Sequence, residues 1–483
     1  MTSLLRLFIV VIVMSVAAGC RKTATSTGEL LPGRSRPLLE HGWAHPRDLA
    51  FAANSFHPHD AKSSLVTTAS GLRAYVVAAD GDPVTQIVAA IPIGPARERA
   101  DEAGASELIS RLLQQDIGQR LRPDFVGRLQ VEQDPEVTRI SVQAFANDWR
   151  PALAAIVSAL RDARFDPAAV DAYRTGAGYT RPTRNLGGAG FRPAVELARL
   201  SASRPIAPPD AGLQIRTEAV DAIRSKALGP QSIVLGIGGG IARSDVEAVL
   251  NELTARWSGA PAVADSSPIE TVIKTGERFL AIDEPGFTTW LAVGHPMPAL
   301  APSDEAPVAV MAQILNIRLN IVIREIRGLA NQAVLQVPAT TRTPGLLHVR
   351  SGARSESIAP IVKYAKEELS RIREQAGTPT ADELEQAKGG LVLSLWQRSL
   401  DGARAASATF AVETVLNGSL DRLHRWPESV RAVTGEQVQA AAAKYIHPDK
   451  LVTVLIGQLD AVRKARHPRW PATLEELSRG GGQ

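Results

Sequence analysis

The sequence predicts an α+β protein of two homologous α/β sandwich domains, each with a mainly antiparallel sheet covered by helices. Three observations lead to this fold class. The chain has 483 residues, too many for a single compact core. Strand-like runs bounded by turn residues alternate with long periodic helices. A segment near the middle of the chain recurs near its end, which indicates a duplicated unit.

The first half of the chain carries the clearest secondary-structure signals. Apolar and β-branched runs between glycine and proline turns predict strands at 65–69, 72–77, 85–91 and 137–145. Periodic apolar residues predict helices at 102–115 and 148–163. Four residues form the apolar face of the second helix: Leu153, Ile156, Val157 and Leu160. Asp166-Pro167 is typical of the start of a further helix.

The internal repeat sets the domain organisation. A shift of 218 residues aligns 218–239 with 436–457 and gives seven identical pairs among 22 positions. Each copy is predicted to form a helix, a proline turn, a hydrophobic strand and a final glycine. We therefore expect domains at 61–257 and 277–464, joined by an Ala/Pro/Ser-rich linker at 258–276 and followed by a tail at 465–483.

The N-terminus is typical of a bacterial lipoprotein signal at residues 1–19. The apolar run Leu7–Ala18 has 12 residues, whereas a membrane-spanning helix needs about 20. Small residues precede Cys20, the only cysteine of the chain. We expect Cys20 to be lipidated, and Arg21 after it to favour the outer membrane, facing the periplasm. An ordinary secretory signal with an accidental cysteine is the alternative.

Composition narrows the classes of function. Apolar residues make up 45% and charged residues 22%, so the chain as a whole is not disordered, although the polar, proline-rich segment 20–60 is predicted to be a disordered tether. The net charge is only +4 and aromatic residues make up 5%, without a basic stripe, which argues against nucleic acid as a partner. With one cysteine, neither an intrachain disulfide nor a cysteine-based zinc site can form.

Several segments between residues 64 and 464 resemble the pitrilysin/insulinase family of zinc metallopeptidases, which includes the mitochondrial processing peptidase. The segments are 71–77, 279–286 with 290–296, 318–330 and 445–457. The resemblance implies the half-chamber fold of that family. Two sandwich domains would pack against a second such pair, in the same or another chain, around a space of peptide size.

The catalytic motif of active family members is degenerate here. In H-x-x-E-H, two histidines four residues apart on a helix bind Zn²⁺ and the glutamate activates a water. The corresponding residues are Glu107 for the first histidine, Ser110 for the general base and Arg111 for the second histidine. Arg111 cannot bind zinc, and its spacing from Glu107 predicts an ordinary i,i+4 ion pair. Glu196 is the acid in the region of the third ligand, but without the histidines we interpret it as an acid on a helix surface.

The resemblance also suggests where peptide would be held. Active members use an Arg and a Tyr four residues apart in the second domain. The sequence keeps Arg327 and has Asn331 in place of the Tyr, so both are candidate substrate-binding residues. A structural ion pair at the helix end is the alternative role for Arg327.

Two other motifs have simpler interpretations. Four histidines between His41 and His59 have spacings compatible with a metal ion, but prolines in the same segment favour chance clustering in the tether. The run Gly236–Gly240 lacks the lysine of a phosphate-binding loop, and we interpret it as a strand-end turn.

The function predicted from these residues is that of a non-catalytic subunit. It would pair with an active homologue bearing H-x-x-E-H, help to hold peptides or unfolded protein segments, and attach to the membrane through its lipid. It would bind no cofactor of its own, with zinc only in the partner. The alternatives are a stand-alone peptide- or protein-binding scaffold lipoprotein and an active zinc metalloendopeptidase with atypical ligands.

Overall fold

The computed structural model describes residues 59–465 except 103, 135, 175–192, 195, 198–214, 260–277 and 339–343. The predicted signal peptide, Cys20, His41–His57 and most of the predicted tether, linker and tail therefore lie outside the described residues.

Eleven strands of the described residues form two sheets. They are β1 (Leu65–Thr67), β2 (Arg73–Ala78), β3 (Val84–Ile91), β4 (Gly127–Gln133), β5 (Thr138–Phe145), β6 (Val234–Gly239), β7 (Arg278–Asp283), β8 (Thr289–Met297), β9 (Ala333–Gln336), β10 (Gly345–Ala353) and β11 (Val452–Gly457). The first sheet has the order β1-β2-β6-β3-β5-β4 and the second has the order β7-β11-β8-β10-β9.

The two sheets share one topology. Without β1, the strand orders correspond position by position. Each sheet has one parallel pair, β2 with β6 and β7 with β11, and its other pairs are antiparallel. The repeat found in the sequence places β6 and β11 at equivalent central positions. The predicted fold class of two mainly antiparallel α/β units is therefore confirmed.

Thirteen α-helices have defined bounds within the described residues. They are α1 (Ala61–Ser64), α2 (Ala105–Arg120), α3 (Trp149–Arg161), α4 (Pro167–Arg174), α5 (Thr217–Ala227), α6 (Arg243–Thr254), α7 (Glu305–Asn320), α8 (Ser355–Arg371), α9 (Ala381–Leu395), α10 (Ala403–Asn417), α11 (Asp421–Arg431), α12 (Gly435–Tyr445) and α13 (Leu459–Lys464). Wider π-type turns continue α7 over Ile321–Ile326 and α9 over Trp396–Leu400.

The predicted elements of the first half are present with shifted ends. The first long helix is α2, which begins three residues later and ends five residues later than 102–115. The apolar face predicted for α3 is buried, with Leu153 and Ile156 fully inside the first core. Strand β4 was not predicted, because Leu129 and Val131, which pack against the first core, are its only large apolar residues and make too short an alternation to identify a strand.

Helix α7 is the centre of the second core. It packs against α8, α9, α11, α12 and β9. Among the described residues, Pro302–Ile326 is the one helix long and apolar enough to cross a membrane, but 61% of its most apolar window is buried inside the protein. That burial is the property of a core helix.

The two halves exchange helices across their outer sheet faces. Although α10 follows the second sheet's helices in sequence, it packs on β2, β3 and β6 of the first sheet. The Tyr75 hydroxyl and Thr414 Oγ1 lie 2.9 Å apart, and the Tyr75 ring meets Phe410 edge-on at 5.4 Å between centroids. In the opposite direction, Leu197 of the first half packs with Val452 and Val454 of the second sheet.

This exchange corrects our interpretation of the glycine run as a strand-end turn. Gly236 and Gly238 lie inside β6 and face α10. A Cβ added to Gly236 would come within 2.3 Å of the Ser407 carbonyl oxygen, and one on Gly238 within 2.3 Å of the Ala403 carbonyl oxygen. The glycines are therefore required for the close approach of two backbones.

Candidate functional site

The degenerate motif lies on the first turns of α2. Buried Glu98 fixes the start of this helix, because its carboxylate accepts hydrogen bonds from the Gly104 N–H at 2.8 Å and the Ser106 N–H at 2.7 Å. Burial raises the pKa of Glu98, and the two backbone donors oppose that effect. Gly104 adopts a φ of 87°, which favours glycine at this turn.

Glu107 and Arg111 form a direct ion pair at the positions of the two histidines. Arg111 Nη2 lies 2.7 Å from Glu107 Oε1, and Arg111 Nε donates to the same oxygen at 3.2 Å. Both side chains are about one-third exposed. The carboxylate is thus neutralised by a guanidinium, and the arrangement offers no imidazole to a zinc ion. These residues do not fit the metal of active family members.

Ser110 stands at the position of the general base and belongs to a buried polar network. Its hydroxyl donates to the Ser106 carbonyl oxygen at 2.7 Å and lies 3.1 Å from Thr138 Oγ1. Gln133 Nε2 donates to both hydroxyl oxygens, and Thr138 donates to the Ile93 carbonyl oxygen. The network ties α2 to the edge strand β4 and to its neighbour β5, which is a structural role.

In the region of the third ligand, the structure describes only residues 193, 194, 196 and 197. Glu196 and Leu197 are helical, and Leu197 packs against the second sheet. Within the described ranges, no group of three or more His, Cys, Asp or Glu side chains is placed to hold a metal ion.

The two candidate substrate-binding residues lie on either side of a turn. Arg327 directly follows the π-type segment after α7, and its guanidinium lies over the Tyr364 ring at 5.8 Å from the centroid. Gly328 follows with a φ of 60° and starts the turn into β9. Asn331 lies beyond that turn and lines a cavity that does not include Arg327.

That cavity has a volume of about 120 Å³ and a mixed polar and aromatic lining. The described residues around it are Trp290, Asn331, Gln332, Arg350, Ser351 and Gly352. Sequence reasoning missed Arg350 and Trp290. A charged residue inside the largely apolar run 345–353 was the available signal for Arg350, but the cross-strand pairing that brings Trp290 to Gly352 is not visible in the sequence.

The fold and helix α2 agree with the resemblance to the zinc metallopeptidases, except that Glu107, Ser110 and Arg111 replace the three residues of the zinc motif. Residues 214–391 match the family model of the Peptidase M16 inactive domain. No curated protein matches the chain.

Solved structures share the fold at low sequence identity. A peptidase M16 inactive domain from Pseudomonas fluorescens has 20% identity and a TM-score of 0.66, covering 84% of this chain and 98% of its own. A protease from Helicobacter pylori has 13% identity and a TM-score of 0.66, covering 81% and 98%. A chain of complex III2 from Candida albicans has 13% identity and a TM-score of 0.65, covering 82% and 96%.

The match over residues 214–391 supports the resemblance to a degenerate, non-catalytic member of the pitrilysin-type peptidase family, and the solved structures with this fold agree with it. The resemblance noted in the sequence is confirmed.

Proposed function

We propose that this chain is the non-catalytic subunit of a peptidase assembly at the cell envelope. It pairs with an active homologue that bears H-x-x-E-H and forms part of the wall of a peptide-binding chamber. The observation that carries this proposal is the Glu107–Arg111 pair, which occupies both histidine positions of the zinc motif while the surrounding fold is kept.

Two features support a role within an assembly. A chain of the Candida albicans complex III2 has this fold, so a protein with this fold can be a subunit of a larger complex. Helix α10 joins the two halves, through contacts such as Tyr75 with Thr414. We expect the joined halves to form a rigid surface on which a partner can dock.

The location follows from the N-terminal sequence. Cys20 after a short apolar run and small residues would be lipidated, which would hold the chain at the outer membrane on the periplasmic side. Zinc would belong to the partner subunit, and peptides or unfolded protein segments would be its substrates.

An affinity purification from native membranes tests the pairing. The tagged full-length chain is solubilised in mild detergent, and the co-purifying proteins are identified and quantified by mass spectrometry. We expect a homologue with an intact H-x-x-E-H motif in near-equal amount. Recovery of this chain alone, or only with itself, would overturn the pairing and favour the stand-alone scaffold.

A matched activity measurement completes the test. We expect the purified chain to be inert toward peptides, and its addition to the partner to raise the partner's chelator-sensitive cleavage. Zinc in the isolated chain, together with cleavage that a chelator abolishes, would instead favour the active enzyme with atypical ligands. Replacing Cys20 with Ala should release the chain from membranes without altering its pairing in detergent.

A further inference from the structure

The cavity next to Asn331 lies on the sheet face opposite the helical layer of the second core. Along β10, Leu347, Val349 and Ala353 belong to that core. Since side chains alternate along a strand, Arg350 lies on the other face, together with the backbone of Gly352. The cavity is therefore built on the second sheet, apart from α2 and its degenerate motif.

The walls of the cavity are fixed by packing and hydrogen bonds. Gly352 pairs directly with Trp290 across β8 and β10, and a Cβ added to Gly352 would lie 2.4 Å from the indole ring. The missing side chain thus lets the indole lie against the strand. Ser351 Oγ donates to the Gln332 carbonyl oxygen at 2.7 Å, which anchors the turn before β9.

The chemistry of the lining favours a negatively charged group. Of the six described residues that line the cavity, one is an arginine, two are carboxamides and none is an acid. Arg350 Nε donates to Gln336 Oε1 at 3.1 Å, so a neutral amide orients the planar guanidinium. Burial lowers the pKa of Arg350, and a half-buried guanidinium forms stronger charge-assisted hydrogen bonds than an exposed one.

We propose that this cavity binds a carboxylate of a peptide. The guanidinium of Arg350 would hold the two oxygens side by side, and the amides of Asn331 and Gln332 would donate from the solvent side. The Trp290 ring would cover the apolar atoms next to the carboxylate. A volume of about 120 Å³ suits a carboxylate with a few neighbouring atoms. This assignment rests on the proposed function, because it names which part of a chamber-bound peptide this subunit holds.

A terminal carboxylate and an acidic side chain share this chemistry, and three probes separate them. Ligand-observed NMR on the purified full-length chain would compare N-acetyl-glycyl-alanine, its C-terminal amide, and the α-amide of N-acetyl-glutamate. We expect one or both of the carboxylates to bind, and the neutral amide to bind at least about tenfold more weakly. Equal binding of the free acid and its amide would overturn the proposal.

Two arginine variants locate the contact. Arg350→Gln should weaken carboxylate binding about tenfold or more, because it removes the charged guanidinium and keeps a polar side chain. The control, Arg354→Gln, changes an exposed arginine just beyond the same strand and should retain wild-type affinity. Retained affinity in Arg350→Gln, or equal losses in both variants, would exclude this site.

The result of the carboxylate-binding experiment can be distinguished from the result of the pairing experiment. Carboxylate binding is measured on the isolated chain, whereas pairing is measured by co-purification. Recovery of the partner with no effect of Arg350→Gln on peptide acids would reject the cavity alone. If the isolated chain binds carboxylates but no partner co-purifies with it, the pairing would be rejected and the cavity assignment would stand.

Discussion

Arg318 and Glu383 form a bidentate ion pair that joins α7 to the start of α9. Arg318 Nε donates to Glu383 Oε1 at 2.7 Å and Nη2 donates to Oε2 at 2.9 Å. Arg318 Nη1 also donates to the Gly377 carbonyl oxygen, and Glu383 closes a capping box with Thr380. One guanidinium thus fixes the central helix of the second core against the turn that begins the next helix.

Replacing Arg318 with Met should destabilise the protein by about 3 kcal/mol, because it leaves the half-buried Glu383 carboxylate without its partner. The same pair lowers the pKa of Glu383 to about 2. The stability that the ion pair contributes is therefore present above the ordinary glutamate pKa and is lost as the pH falls toward 2.

Urea unfolding at pH 7 measures the destabilisation caused by Arg318→Met. Arg324→Met, which breaks an exposed pair with Glu325, should change stability by less than about 0.5 kcal/mol and serves as the control.

His295 should make stability depend on pH between about 4 and 6.5. Its Nδ1 lies 2.7 Å from the Pro296 carbonyl oxygen, and its Nε2 accepts the His447 backbone N–H at 3.1 Å, an arrangement that requires the neutral ring. Burial lowers its pKa from 6.5 to about 4. The unfolded chain therefore binds more protons in this window, so stability is full above pH 6.5 and falls with acidification.

The loss attributable to His295 should be about 3 kcal/mol between pH 6.5 and pH 4. His348, whose pKa burial also lowers to about 4, should add to the same slope. Unfolding free energies measured across this range should show a shallower slope in His295→Gln than in the wild type. His424→Gln, at an exposed position, should keep the wild-type slope. An unchanged slope in His295→Gln would contradict the neutral buried ring.

Substitutions at two positions of the degenerate motif on α2 should destabilise the protein by unequal amounts. Glu107→Gln breaks a one-third exposed i,i+4 pair and should cost about 0.5 kcal/mol or less. Ser110→Ala removes a buried hydroxyl that accepts a hydrogen bond from Gln133 and contacts the Thr138 hydroxyl. It should lower the free energy of unfolding by about 1–2 kcal/mol. Thermal and urea unfolding of the two variants provide the comparison. A larger loss for Glu107→Gln would show that the ion pair holds α2 more strongly than its exposure indicates.

The sequence allowed the duplicated topology to be predicted because the repeat preserves local features. A helix, a proline turn and a buried strand depend on neighbouring residues, so α5 with β6 and α12 with β11 could be found by comparing the chain with itself. The partner of each helix depends on distant residues instead. The apolar face of α10 predicts that the helix packs on something, but not that it crosses to the first sheet.

The candidate peptide site shows a second limit of sequence reasoning. A spacing of four places Arg327 and Asn331 on one face only if the helix continues between them. The helical segment ends at Ile326, and Gly328 turns the chain toward β9. Asn331 therefore lines a cavity together with Arg350, and the two segments are brought together by the pairing of β9 with β10 rather than by local sequence.

The exchanged helix α10 should depend on the absence of side chains at Gly236 and Gly238. A methyl group at either position would meet backbone atoms of α10 at 2.3 Å, and backbone cannot rotate away as a side chain can. The equivalent positions of the second sheet are Val454 and Ile456, which pack with Leu197, so the first sheet needs the closer approach. Gly238→Ala should therefore destabilise the protein by about 3 kcal/mol and loosen α10.

A helical glycine provides the matched control for this prediction. A Cβ added to Gly389 in α9 would have nothing within 4 Å, so Gly389→Ala should stabilise the protein by about 0.5–1 kcal/mol through helix propensity alone. Hydrogen exchange of the α10 amides, followed by mass spectrometry, should accelerate in Gly238→Ala and stay unchanged in Gly389→Ala. Unchanged exchange in both variants would mean that β6 and α10 can move apart at little cost, because the methyl group would then be accommodated without loss of the helix.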